Sequence, residues 1–154
     1  MKVRLSESQI TKINLTLDIF KCQIGLYDSI KNDPNKLDAF FSLNRNPLFD
    51  LTNISYFRTG LESEGVTNGG KAVHDHFIQR KHAMKILFEK LSEDNDMTLD
   101  EFVVFLVDYG STVAITKEEH QVVTTRAKNT TELNYELYEQ CGIVIEGLDK
   151  MIPL

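Results

Sequence analysis

The sequence predicts a mainly α-helical fold that contains one or two short β-strands. Apolar residues recur at steps of three and four along much of the chain, as they do on the buried faces of helices. Three capping boxes mark helix starts, at Ser6 with Gln9, at Thr98 with Glu101, and at Thr116 with Glu119. The stretch "STVAIT" at 111–116 is short, β-branched and apolar, which predicts a strand. The 154 residues suit a single domain, 1–154.

The clearest helix is predicted at the N-terminus, over about residues 7–32. Leu5 and Ile10 have the spacing of a hydrophobic staple, and Asp33-Pro34 ends the pattern. One apolar stripe runs along the helix, formed by Ile10, Ile13, Leu17, Phe20, Ile24, Tyr27 and Ile30. Two partners for this stripe remain open, the core of the protein itself or the same helix of a second copy in a homodimer.

Further elements follow along the chain. The segment "NKLDAFFSL" predicts a second, short helix, and 44–70 is expected to be irregular, with a turn at Asn46-Pro47. Helices are then predicted over 79–91, from Thr98 to Gly110, from Thr116 to about 128, and over 131–141. The segment "IVIE" at 143–146 is either a short strand or a packed tail.

Composition and charge limit the classes of function. A net charge of −6 argues against a broadly basic nucleic-acid surface but leaves room for a local basic patch. Arg80, Lys81 and Lys85 in "RKHAMK" form the best such patch and Arg126 the next, although solvated helix faces would explain both. No apolar run approaches a membrane span, and the two distant cysteines match no metal or redox spacing, so we expect a cytoplasmic protein.

Histidines and one aspartate form the most informative constellation. In "VHDHFI", an extended backbone points His74 and His76 to one side and Asp75 to the other. His120 falls in the first turns of the helix that Thr116 caps, on the side that faces the protein. Imidazole and carboxylate groups bind divalent ions such as zinc, manganese and magnesium. The alternative is that these are buried or capping polar residues with no ligand.

The order of these segments resembles the ββα-metal element of HNH endonucleases. "VHDHFIQRKHAM" resembles its first half and "VAITKEEHQVV" its second strand and helix, so the resemblance covers about residues 72–128. It implies a metal-dependent endonuclease that hydrolyses DNA, with Asp75 and His120 as metal ligands and His76 as general base. The resemblance implies no fixed role for His74, which could bind the metal in place of Asp75. Arg80 could neutralise a neighbouring phosphate. The overall character also resembles small accessory proteins of bacteriophages, which implies the host cytoplasm.

The sequence departs from the family pattern at one functional position. HNH proteins carry an asparagine before the second strand, which orients the catalytic histidine, whereas "YGSTVAI" offers Ser111 or Thr112. The stretch between His76 and His120 is also long for the family. An alternative function therefore remains open, a non-catalytic helical regulator or inhibitor that binds a protein or nucleic-acid partner.

Overall fold

The computed structural model describes residues 3–128 and 134–153, and it confirms a mainly α-helical fold with a small sheet. The helices are α1 (Glu7–Cys22), α2 (Ile24–Ile30), α3 (Pro34–Thr52), α4 (Glu64–Thr67), α5 (Arg80–Glu93), α6 (Leu99–Gly110), α7 (Lys117–Ala127) and α8 (Asn134–Gln140). The strands are β1 (Arg58–Glu62), β2 (Ala72–His76) and β3 (Thr112–Thr116). The three predicted capping boxes are all present.

The predicted N-terminal helix is two helices in the structure. The chain tightens at Gln23, whose backbone N–H donates to the carbonyls of Phe20 and Lys21, and a new helix starts at Ile24. The core-facing stripe continues across this break, because Ile13, Leu17, Phe20, Ile24 and Tyr27 are all buried. Since α1 and α2 pack against α3, α5 and α6, these five side chains lie inside the protein and are not available to pair with a second copy, whereas Ile10 at the start of the stripe is exposed.

The expectation of an irregular chain after Asn44 is wrong for the next eight residues. α3 continues through Asn46-Pro47 to Thr52, although a proline inside a helix removes one backbone hydrogen bond and costs about 3 kcal/mol. Phe40 and Phe41 before the proline and Leu48 and Leu51 after it are all buried on the same core. Burial on both sides of Pro47 therefore outweighs the local preference for a turn.

A cluster of aromatic rings forms the centre of the main core. Phe88 of α5 is fully buried, and its ring contacts four others at centroid distances between 4.8 and 6.5 Å, those of Phe20, Tyr27, Phe40 and Phe41. A second core lies under the sheet, where Val113 and Ile115 of β3 pack with Leu137 and Tyr138 of α8. The two cores anchor α3 and α5 on one side of the sheet segment and α7 and α8 on the other.

The sheet has the strand order β1–β3–β2. β2 and β3 are antiparallel, with His76 opposite Thr112 and Asp75 opposite Val113, while β1 is parallel to β3 and was not predicted. α7 follows β3 directly and contacts both β2 and β3. Two antiparallel strands and a following helix are therefore present, and α5 and α6 are inserted between the strands.

The C-terminal region consists of α8 and the segment after it, and α8 packs against β3. α8 matches the described part of the helix predicted over 131–141, and residues 131–133 lie outside the described residues. The segment 143–146 is mostly a packed tail, with a single bridge between Ile145 and Ser63. Within the described chain, no helix has the length and apolar character that crossing a membrane requires.

Candidate functional site

The structure brings Asp75 and His120 together. Asp75 lies on β2 and His120 in the first turns of α7, and His120 Nδ1 is 3.4 Å from Asp75 Oδ1. The contact depends on the antiparallel pairing of β2 with β3, because β3 ends at Thr116 opposite Ala72, the first residue of β2, and α7 then contacts β2. Two residues that the sequence predicts as metal ligands are thus adjacent in the fold.

Asp75 is buried and is held by α8. Its Oδ2 accepts hydrogen bonds from the Tyr138 hydroxyl and, at 3.3 Å, from Asn134 Nδ2. Burial raises the pKa of Asp75, while the hydrogen bond from Tyr138, the charge of His120 and the hydrogen bond from Asn134 act in the opposite direction. Because the α8 side chains occupy Oδ2, Oδ1 is the carboxylate oxygen that faces His120.

The Asp75–His120 pair fits a divalent ion. His120 Nδ1 is buried and has no hydrogen-bond partner within the described residues, so a lone pair there would be unsatisfied without a ligand. Metal bonds to nitrogen and oxygen are about 2.0–2.2 Å long, so two ligands of one ion lie within about 4 Å of each other, as these atoms do. If His120 is protonated, the same two atoms form an ion pair instead.

The described residues offer a metal at this pair two side-chain ligands, Asp75 and His120. Among residues 3–128 and 134–153, no group of three histidine, cysteine, aspartate or glutamate side chains is placed to hold a metal ion. The predicted substitute ligand His74 is exposed at the rim of the site, on the strand face opposite that of Asp75, and the structure does not bring it to the pair.

His76 lies on the other face of β2, against α3. Its Nε2 is 2.9 Å from Thr52 Oγ1, and its ring centroid is 5.3 Å from that of Phe49. Burial and, to a smaller extent, the charge of Arg80 lower the pKa of His76 to about 4, so the imidazole is neutral at pH 7. A neutral imidazole can accept a proton, as a general base must.

Thr52 fixes the orientation of the His76 ring. The Thr52 hydroxyl has one proton and lies 3.1 Å from the carbonyl of Leu48, to which it donates. With the hydroxyl proton on that carbonyl, the Thr52 oxygen would accept from Nε2–H of His76, and the lone pair of the neutral ring would then lie on Nδ1. Thr52 packs directly against the backbone of Gly110. A Cβ added at Gly110 would lie 2.4 Å from Thr52 Cγ2.

Ser111 does not make the contact that the sequence predicts. Its hydroxyl donates to the carbonyl of Val107, 2.6 Å away, and so ends α6. Asn134 of α8 instead provides an amide beside β2, since its Nδ2 donates to the backbone carbonyl of His76 at 2.9 Å. Sequence analysis missed Thr52, Asn134 and Tyr138, because each lies far from its partner along the chain and carries no local motif.

Asp75, His76 and His120 line one open cavity of about 500 Å³. Arg80 and Lys81 of the predicted basic patch also line it, and Lys81 forms an ion pair with Asp38. Lys85 and Arg126 do not line this cavity. Lys85 is exposed at a different depression on α5, and Arg126 Nε donates to Gln140 Oε1 at 3.1 Å.

Comparison with known proteins gives no independent indication of function. No protein-family model matches the chain, and searches of curated proteins and of solved structures likewise find no match. The geometry of the cavity is therefore the basis for a functional assignment.

Proposed function

We propose that this protein is a metal-dependent endonuclease that hydrolyses phosphodiester bonds of DNA in the cavity around Asp75, His76 and His120. The observation that carries the proposal is the 3.4 Å approach of His120 Nδ1 to Asp75 Oδ1, with the neutral His76 on the same strand end. Asp75 and His120 would hold a magnesium, manganese or zinc ion. When bound, such an ion supplies stabilisation of the charge that develops on the phosphate and on the leaving oxygen.

The chain's own residues supply the proton transfer and the positioning. His76 Nδ1 takes a proton from a water molecule while the water oxygen forms a bond to phosphorus, and the bond from phosphorus to the leaving oxygen breaks. Thr52 Oγ1 lies 2.9 Å from Nε2 and so holds the ring through that nitrogen. A phosphate that pairs with Arg80 would remove the cationic contribution that lowers the pKa of His76, and so make it a stronger base in the complex.

Two measurements on the same variants test this proposal. Nicking of supercoiled plasmid with Mg²⁺, Mn²⁺ or Zn²⁺ reports activity, and titration of Mn²⁺ followed by electron paramagnetic resonance reports binding of the ion. We expect His76→Ala to lose about 10²- to 10⁴-fold in activity and to keep Mn²⁺ binding. Asp75→Asn and His120→Ala should lose both.

His82→Ala is the matched control, because His82 lies on α5 and does not line the cavity. It should retain both activity and Mn²⁺ binding. Nicking that survives His76→Ala would exclude His76 as the base. A parent protein that neither binds Mn²⁺ nor nicks DNA with any of the three ions would contradict the proposal as a whole.

One observation favours the alternative of a non-catalytic protein that binds a macromolecular partner. A second apolar stripe runs along the outer face of α1 and α2, where Leu15, Ile19 and Leu26 are 58%, 47% and 55% exposed. Their helical spacing makes one continuous surface, which is a common basis for docking of another helix. Light scattering after size-exclusion chromatography, with Ile19→Lys as the variant, would show whether this face joins two copies of the chain.

A further inference from the structure

Two arginines from separate helices meet at the cavity. Arg45 lies in the middle of α3 and Arg80 is the first residue of α5, and both line the cavity together with Asp75 and His76. They are close enough that the charge of Arg45 contributes to a lowered pKa of Arg80, after the larger effect of burial. Two adjacent guanidinium groups repel each other, so the arrangement is suited to an anion that lies between or across them.

An aromatic ring holds Arg80 in place. Its Cζ lies 3.8 Å from the centroid of the Phe49 ring, and that ring also lies beside His76. Stacking uses the flat face of the guanidinium and leaves its in-plane N–H groups free to donate. Phe49 therefore places a fixed set of donors next to the general base that the proposed mechanism requires.

Among residues 3–128 and 134–153, no side chain forms an ion pair with either of these two arginines. The neighbouring Lys81, in contrast, is paired with Asp38. Asp75 is near enough to Arg80 to oppose the lowering of its pKa, but the hydrogen bonds of that carboxylate go to Tyr138 and Asn134. Within the described residues, Arg45 and Arg80 are therefore two cavity-lining cations with no carboxylate at ion-pair distance.

We propose that Arg45 and Arg80 form a subsite for backbone phosphates of a DNA strand, and that this pair provides most of the protein's electrostatic hold on DNA. The identity of the anion as DNA rests on the proposed function. Bidentate contact to phosphate oxygens is the typical use of paired arginines. Lys85 and Arg126 lie away from the cavity, so a contact made through Arg45 and Arg80 neutralises about two phosphates.

Salt dependence of DNA binding measures the number of phosphates that the protein neutralises. Each neutralised phosphate adds about −0.9 to the slope of log affinity against log salt concentration. Two phosphates predict that affinity for a short duplex falls about 12-fold between about 50 and 200 mM NaCl. Arg45→Ala should reduce this fall to about 3- to 4-fold, as expected for one phosphate.

Fluorescence anisotropy of a labelled short duplex in EDTA provides this measurement without hydrolysis. The side chain of Arg45 is exposed, so its removal leaves the core intact, and Lys85→Ala is the control that should keep the salt dependence of the parent. A parent that does not bind the duplex at about 50 mM NaCl, a parent whose affinity falls more than about 100-fold over the same range, or an Arg45→Ala variant with the parent's salt dependence would each overturn the proposal.

Failure of this subsite and failure of the nuclease proposal are distinguishable. Binding in EDTA with the expected salt dependence but without metal-dependent nicking would leave the phosphate subsite in place and reject the hydrolytic activity. Metal-dependent nicking together with no effect of Arg45→Ala on the salt dependence would support the hydrolytic activity and reject the phosphate subsite.

Discussion

Protonation of His76 is expected to destabilise the folded protein by an amount that can be worked out from its environment. His76 is buried, at 7% exposure, and burial together with the charge of Arg80 lowers its pKa from 6.5 to about 4. The unfolded chain binds the proton near pH 6.5, so the unfolded state gains stability relative to the folded state as pH falls below that value. The contribution of neutral His76 is therefore complete above pH 6.5 and is lost as pH falls towards 4.

The magnitude follows from the separation of the two pKa values. One pKa unit corresponds to about 1.4 kcal/mol, so complete protonation would cost about 3 kcal/mol, and about 2 kcal/mol of this should be lost between pH 7 and pH 5. This range lies above the ordinary titration of most carboxylates. Asp75, whose pKa is raised, is present in parent and variant alike, so its effect cancels to first order when the two are compared.

The assay compares the parent with His76→Gln, which cannot titrate. Urea unfolding followed by far-UV circular dichroism suits a chain without tryptophan, and EDTA keeps divalent ions away from Asp75 and His120. We expect the stability difference between parent and variant to shift by about 2 kcal/mol against the parent from pH 7 to pH 5. A difference that stays within about 0.5 kcal/mol over this range would refute the reasoning. In an Arg80→Gln background the shift should be smaller, because one cause of the lowered pKa is gone.

Two further predictions concern the residues that support the site. Tyr138→Phe removes a hydrogen bond to Asp75 and should weaken Mn²⁺ binding about 10- to 100-fold, as measured by paramagnetic resonance, and unchanged affinity would show that Tyr138 does not position the carboxylate. Gly110→Ala should lower the free energy of unfolding by about 1–3 kcal/mol, because the added methyl group would lie 2.4 Å from Thr52. Its matched control is Gly25→Ala in α2, where no atom lies within 4 Å of the added carbon, and urea unfolding should show a neutral or slightly stabilising effect.

The amide of Asn134 bears on the departure from the HNH pattern. The chain lacks the asparagine that the family carries before the second strand, and Ser111 at that place bonds to its own helix. Asn134 reaches Asp75 and the carbonyl of His76 from α8, outside the 72–128 region of resemblance. An amide beside β2 is thus present, and it comes from α8 and not from the start of β3.

Local features of the fold were predictable because their causes are local. A capping box depends on residues three positions apart, so the starts of α1, α6 and α7 follow from Ser6, Thr98 and Thr116. β1 and the second half of α3 were not predicted, because both depend on contacts with residues that are distant in the sequence. Only burial of Leu48 and Leu51 in the shared core explains a helix that continues through a proline.

The sequence by itself determined which groups are available for chemistry. It left open whether 74–76 is a strand or the start of a helix, and the structure forms the strand β2 there. Asp75 and His76 point to opposite faces because side chains alternate along a strand, and the Thr116 cap places His120 in the first turns of α7. Tertiary structure alone decided that His120 approaches Asp75 and that Arg45 joins Arg80 at the same cavity. These contacts join residues on separate elements, and the packing of helices and strands selects them through burial and shape, which leave no periodic signal in the chain.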